Sequence, residues 1–250
     1  MTKPFENECI WLIGASSGIG HELAIQLAEQ GAKLCLSARR TQALTTLQQQ
    51  LPGTHSIHPL DVADLEQVKT VCAEVCQTHE RIDRVLFFPA LYQPSPIKSM
   101  DLAVLSQIID VNLKGALYVT QQLWPVFERQ QRGQIALCGS VAGYLGLPNG
   151  QPYSATKAAL INFAESLHAE APDYLDVKLI NPGFVDTPLT QKNAFSMPML
   201  FTPQQAAQAI LTGLNQNRFE IHFPKTFTLL LKALTLLPYR LQLALTRRAR

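Results

Sequence analysis

Cys9-Ile10-Trp11-Leu12-Ile13-Gly14-Ala15-Ser16-Ser17-Gly18-Ile19-Gly20 passes from an unbroken apolar run straight into a glycine cluster. A short apolar run without polar alternation reads as a strand covered on both faces. Gly14 closes that strand, and Gly18 and Gly20 open the helix that follows, in the spacing G-x3-G-x-G. The chain must turn sharply here, let its backbone approach a ligand, and pack a helix tightly on a strand. Free N–H groups and the dipole at the start of that helix favour an anion, so Gly14, Ser16, Ser17, Gly18, Ile19 and Gly20 are the candidate pyrophosphate cradle of a dinucleotide. Glycines can also serve only to turn the chain; their position between strand and helix favours phosphate.

Outward from this stretch, short apolar runs alternate with longer amphipathic segments. Strands are predicted at 9–13, 33–37, 55–59, 84–88, 134–138, 176–180 and 219–223. Helices are predicted at about 18–30, 41–50, 64–79, 101–130, 152–171 and 203–216. That alternation specifies an α/β fold, a single Rossmann-type doubly wound domain whose parallel sheet of about seven strands carries helices on both faces, with ligands at the carboxyl ends of the strands. Residues 1–223 form the expected dinucleotide-binding and catalytic domain, and 224–250 a basic, leucine-rich helical extension.

Hydrophobic residues make up 47% of the 250-residue chain and the formal net charge is +2, which fits a globular enzyme and argues against a nucleic-acid binder or a disordered protein. The charge is uneven. Residues 1–220 carry 15 basic against 19 acidic side chains, whereas 221–250 carry Lys225, Lys232, Arg240, Arg247, Arg248 and Arg250 and no carboxylate. The N-terminal run Met1 to Glu8 lacks the apolar stretch of a secretory signal, so a cytoplasmic location is expected. Of the five cysteines, Cys9, Cys35 and Cys138 fall within apolar strands and read as buried thiols. Cys72 and Cys76 stand one helical turn apart without a second Cys or His pair at ligand spacing, so no metal site is expected.

The end of the second strand discriminates between dinucleotides. A carboxylate there would bind a ribose 2′-hydroxyl; this chain has Ser37-Ala38-Arg39-Arg40, and guanidiniums pair with a 2′-phosphate. NADP(H) is therefore expected over NAD(H), against the plainer alternative that Arg39 and Arg40 are solvated residues at a helix start.

Further along, Ser140, Tyr153 and Lys157 form Ser-x12-Tyr-x3-Lys. Tyr and Lys four apart share a helix face, so the ammonium is expected to lower the phenol's pKa from about 10. Together with the glycine cluster and Asn181-Pro182-Gly183-Phe184-Val185-Asp186-Thr187, these residues resemble the short-chain dehydrogenase/reductase family over roughly residues 8–222. The resemblance implies Tyr153 as acid/base, Ser140 on the substrate oxygen, Lys157 on the nicotinamide ribose, and Asn112 as a fourth member that helps hold a proton-relay water. It also implies adenine contacts from Asp61 and Val62, a nicotinamide turn at Pro182, Gly183, Val185 and Thr187, a cofactor contact at Ala90, and a homodimer or homotetramer. Taken singly, Asp61 could instead cap a helix and Asn112 relieve a kink. One departure is plain: Phe87-Phe88-Pro89-Ala90 stands where the family usually has Asn-Asn-Ala-Gly, replacing two amides and a glycine.

The implied activity is interconversion of a carbonyl and an alcohol. The competing class is a catalytically weak dinucleotide-binding regulator or scaffold of the same fold. Substrate choice is expected in the loop after Thr187, where Phe195, Met197, Met199 and Leu200 can form an apolar lid with Tyr92, Tyr144 and Leu145 as walls; an apolar ketone, aldehyde or secondary alcohol follows. Pro238 is expected to split the tail into two helices, whose leucines either pack on the domain or a second subunit or lie on an anionic membrane.

Overall fold

The computed structural model describes residues 3–193 and 195–247; Met1, Thr2, the lid residue Ala194 and the tail residues Arg248 to Arg250 lie outside them. The strands are β1 (Cys9–Ile13), β2 (Lys33–Ser37), β3 (Ser56–Ile57), β4 (Arg84–Phe87), β5 (Gly133–Cys138), β6 (Leu175–Pro182) and β7 (Glu220–Phe223), paired in parallel in the order β3-β2-β1-β4-β5-β6-β7. The helices are α1 (Gly18–Glu29), α2 (Thr41–Gln50), α3 (Leu65–Thr78), α4 (Leu102–Ile109), α5 (Gly115–Gln130), α6 (Tyr153–Glu170), α7 (Pro203–Leu214), α8 (Lys225–Thr235) and α9 (Tyr239–Arg247).

Successive residues of each strand serve opposite layers. Ile10, Leu12, Leu34 and Leu36 pack with Leu23, Leu27, Leu44 and Ile210 of α1, α2 and α7. Trp11, Ile13, Val85 and Phe87 pack with Val68, Val75, Leu123 and Leu160 of α3, α5 and α6. Burial on both faces is why the strands read as continuous apolar runs. Cys9, Cys35 and Cys138 are buried as expected. The fold adds a proximity that spacing hid: donor atoms of Cys9, Cys35 and His79 lie within 4.8 Å of one another.

Two predicted elements come out differently. The third strand shrinks to Ser56–Ile57, because His55 contributes its ring instead of its backbone and accepts from Leu34 N at Nδ1, 3.1 Å. The long helix over 101–130 is divided by a π turn, Asp110–Lys114, between α4 and α5. This segment is long and apolar enough to cross a membrane, but Val111, Ala116, Val119, Leu123 and Phe127 belong to the core. The C-terminal tail does split at Pro238, into α8 and α9.

The chain runs from β1 to β2 and β3 on one side and resumes at β4 on the other. The crevice at that reversal, above the carboxyl ends of β1 and β4, is where an open α/β sheet holds its ligand.

Candidate active site

A cleft of about 1230 Å³ opens at that crevice. Its floor is the turn between β1 and α1. Gly14 has φ +93 and Gly18 φ +59, a left-handed backbone that glycine adopts without strain. A Cβ on Gly20 would sit 2.3 Å from Gly14 O, and one on Gly14 2.9 Å from the backbone of Phe88 and Pro89. The three glycines thus let the strand, the helix and the β4 loop converge. Ser17 makes no side-chain cap and no acidic residue stands in the first turn, so the start of α1 is left to a ligand. These features fit the pyrophosphate of a dinucleotide.

Ser16, Ser17, Ile19, Arg39, Arg40, Asp61, Val62 and Ala90 line the same cleft. Arg39 and Arg40 are exposed at the end of β2, and Arg40 is steered toward the glycine turn by bonds from its guanidinium to Ser16 O, 3.2 Å, and Ser16 Oγ, 3.3 Å. Asp61 is not the helix cap: Asp64 accepts from Glu66 N and Gln67 N at the start of α3, while Asp61 Oδ1 accepts from Ala63 N, 3.1 Å. Pro182, Gly183, Val185 and Thr187 form the opposite wall, Val185 bridging Phe201 and Thr187 reaching over Gly18.

Ser140 and Tyr153 face this space, and Lys157 lines it from within the wall. Ser140 follows β5 after a single residue, Gly139, and accepts from Ala142 N at 3.1 Å, which fixes its turn. Tyr153 begins α6, anchored one residue on by Ser154 Oγ donating to Ala142 O at 2.5 Å and Leu145 O at 3.2 Å. Lys157 is 1% exposed; its Nζ donates to Cys138 O at 2.6 Å and stands 5.6 Å from the centroid of the Tyr153 ring. The edge of Tyr92 meets Tyr153 with centroids 4.9 Å apart.

The phenol does not behave as the spacing alone suggested. Burial pushes Tyr153 above its ordinary value, Cys138 adds to the rise, and a hydrogen bond with Ser140 offsets part of it. Burial likewise pushes Lys157 below its ordinary value. Burial is the largest cause of both shifts, and one of the three N–H groups of the ammonium is engaged by the Cys138 carbonyl.

Asn112 lies behind the wall, fully buried in the π turn. Its Oδ1 accepts from Leu91 N at 2.7 Å, and its Nδ2 donates to Leu91 O at 2.9 Å and Thr156 Oγ1 at 3.2 Å. The side chain clamps the loop after β4 to the π turn and α6, which assigns it structural work. The departing stretch Phe88-Pro89-Ala90 borders the cleft without closing it.

Sequence reading missed that α8 forms part of the wall. Phe227 and Leu231 line the cleft, and Phe184 is flanked by Phe195 at 5.7 Å and Phe227 at 5.6 Å. Helix α8 is tied down where Glu220 receives Lys232 Nζ, Tyr144 Oη at 2.6 Å and Asn181 Nδ2 at 2.8 Å. Tyr144, expected in a substrate wall, is engaged in this anchor, immediately after the Ser140 turn. The signal available in the sequence was the spacing Phe227, Leu231, Leu234, one apolar stripe at helical period.

The family model for short chain dehydrogenase matches residues 8–196. An uncharacterized oxidoreductase of Staphylococcus epidermidis is 33% identical over 204 residues, 81% of this chain and 89% of that one. A 3-oxoacyl-[acyl-carrier-protein] reductase of Thermotoga maritima is 30% identical over 218 residues, 86% of this chain and 85% of the relative. Among solved structures, a short chain dehydrogenase/reductase from Burkholderia phymatum in complex with NAD superposes with TM-score 0.84 at 18% identity, covering 93% of this chain and 94% of its own. An alcohol dehydrogenase from Thermococcus sibiricus complexed with 5-hydroxy-NADP superposes with TM-score 0.78 at 23% identity, covering 86% and 95%.

Proposed function

Because the chain belongs to the short-chain dehydrogenase/reductase family, we propose that it is an NADP(H)-dependent oxidoreductase that interconverts a carbonyl and an alcohol on an apolar substrate. The observation that carries this reading is the convergence of the glycine turn, Arg40, Ser140, Tyr153 and Lys157 on one cleft. Bound nicotinamide would supply or accept the hydride. The residues that would hold the dinucleotide are Gly14 to Gly20 at the pyrophosphate, Arg39 and Arg40 at the 2′-phosphate, Asp61 and Val62 at adenine, Ala90 beside the glycine turn, and Pro182 to Thr187 with Lys157 at the nicotinamide ribose.

A phenol held above its ordinary value is fully protonated at neutral pH and suits donation to the oxygen of a carbonyl being reduced. Ser140 steadies the same oxygen as charge develops on it. In the oxidative direction Tyr153 must first lose its proton, so that direction gains with rising pH. Aromatic and aliphatic walls at Tyr92, Phe184 and Phe227 support an apolar substrate.

Retention of Ser140, Tyr153 and Lys157 around an open cleft favours turnover over a scaffold role, since a binding protein has no use for a half-buried phenol beside a serine. The reading extends to a homodimer or homotetramer in the cytoplasm, with the basic tail at a membrane surface.

The test is Tyr153→Phe assayed against apolar ketones, aldehydes and a 3-oxoacyl thioester. The variant is expected to keep NADPH binding, measured by nicotinamide fluorescence, and to lose carbonyl reduction by about 100-fold or more. Full turnover in this variant would remove Tyr153 from the chemistry.

A further inference from the structure

Apolar side chains accumulate on the outside of the tail. In α8, Phe227, Thr228 and Leu231 turn toward the domain, while Leu229 and Leu230 are 55% and 59% exposed and Leu236, just past the helix, is 86% exposed. In α9 the arrangement is the reverse of a helix docked on its own core: the polar Gln242 and Thr246 are the less exposed residues, and Leu241, Leu243 and Leu245 face solvent. The exposed surface continues to the cleft mouth. Thr226 Oγ1 donates to Met199 Sδ at 3.3 Å, and Phe184 links Phe227 to Phe195; Phe195 and Met199 are themselves exposed.

We propose that α8 and α9 seat the protein on an anionic lipid surface, and that apolar substrate passes from that surface into the cleft along α8. The lipid contact stands on the tail alone; the route into the cleft rests on the oxidoreductase reading above. Charge selects the occupant. No Asp or Glu follows Glu220, which already pairs with Lys232, and Lys225, Arg240 and Arg247 accompany the leucines. A two-fold contact between copies of this face would set cations against cations with no acid to pair them, whereas lipid phosphates supply the missing charge. At 11 and 9 residues the helices fall far short of the roughly 20 needed to span a bilayer, so they lie on it. Because Phe227 and Leu231 line the cleft from the inner side of the helix that carries Leu229 and Leu230 outside, one helix separates lipid from site.

The test uses the full chain, sedimented with vesicles of phosphatidylcholine alone or mixed with phosphatidylglycerol. Binding is expected to the mixed vesicles, weaker on phosphatidylcholine and reduced by added salt. The triple variant Leu230→Ser, Leu236→Ser, Leu241→Ser should lower the bound fraction about tenfold while turning over a water-soluble carbonyl as the parent does. Arg240→Glu with Arg247→Glu gives the same reading through charge, should the serine variant be poorly folded. Absence of binding to mixed vesicles at low salt, or undiminished binding by both variants, overturns the lipid contact. A dimer in light scattering that the triple variant dissociates, without vesicle binding, also overturns it by assigning the face to a second copy. For the route, reduction of a bilayer-dissolved long-chain ketone should fall in the triple variant while the soluble carbonyl is unaffected; equal rates on both substrates overturn the route and leave the contact standing. Vesicle binding by a protein that reduces no carbonyl at all sinks the oxidoreductase reading alone.

Discussion

Lys157 donates from Nζ to the carbonyl oxygen of Cys138 at 2.6 Å, joining the first turns of α6 to the last residue of β5. Both partners are buried, and the bond positions the ammonium beside Tyr153 with two N–H donors left over. The strand end and the helix start are thereby fixed to each other at the point where Ser140 leaves the sheet.

Replacing Lys157 by Met should therefore cost both stability and activity. An unpaired buried acceptor at Cys138 costs about 1–3 kcal/mol, visible as a lower Tm. Turnover should fall by about 100-fold or more at temperatures where the variant is folded. A stability loss with unchanged kcat would reduce Lys157 to a strut.

Under the proposed function, Arg39 and Arg40 are the residues that would select NADPH over NADH. Each charge-assisted bond to a 2′-phosphate contributes about 1.5–3 kcal/mol, so Arg40→Ala should weaken NADPH binding about 10- to 100-fold and leave NADH binding nearly unchanged. Arg40 is exposed, and the difference should shrink with added salt. Comparing Kd for the two dinucleotides in the parent, Arg39→Ala and Arg40→Ala checks this, and an unchanged NADPH-to-NADH ratio in both variants refutes it.

The glycine turn, the alternation of about seven strands with helices and the Ser140, Tyr153, Lys157 spacing were legible because each depends on local pattern: a strand period, a helix period, a turn that only glycine permits. What spacing could not reveal depends on groups distant in sequence. The phenol's upward shift comes from burial, with Cys138 and Tyr92 adding to it and Ser140 offsetting part of it. The π turn places Asn112 on Leu91 across 21 residues, and the anchoring of α8 needs β7 and the Ser140 turn at once. The leucines of α9 were legible as part of a basic amphipathic pair, but which side they would present was not.

Glu220 should hold the α8 wall in place in a pH-dependent way. Burial raises its carboxyl, but Lys232, Tyr144 and Asn181 outweigh burial and keep it below its ordinary value. A depressed folded value means the stabilisation is present above the unfolded pKa, about 4.3, and is lost as pH falls through the folded value. Thermal stability of the parent should thus be steady through neutral pH and decline in acid, with a shallower acid decline in Glu220→Gln. Glu220→Ala leaves Tyr144 Oη, Asn181 Nδ2 and Lys232 Nζ without their acceptor, and should lower stability by about 2–4 kcal/mol and raise KM for apolar substrates.

Asn112 separates structural from chemical contributions to the site. Its side chain satisfies both backbone groups of Leu91 and reaches Thr156, in a position with no exposure. Asn112→Ala removes a donor and an acceptor at once and strands Leu91 N and O, a cost of about 2–5 kcal/mol. Asn112→Asp keeps the acceptor for Leu91 N but loses the amide that donates to Leu91 O and Thr156, setting a carboxylate against two acceptors in a dry site. If the residue acts by clamping the loop, both variants should lose Tm in proportion to their loss of kcat, and a temperature at which the fold is intact should restore most of the rate. A kcat that stays low in folded protein, with a changed pH profile, would instead assign Asn112 a part in moving the proton.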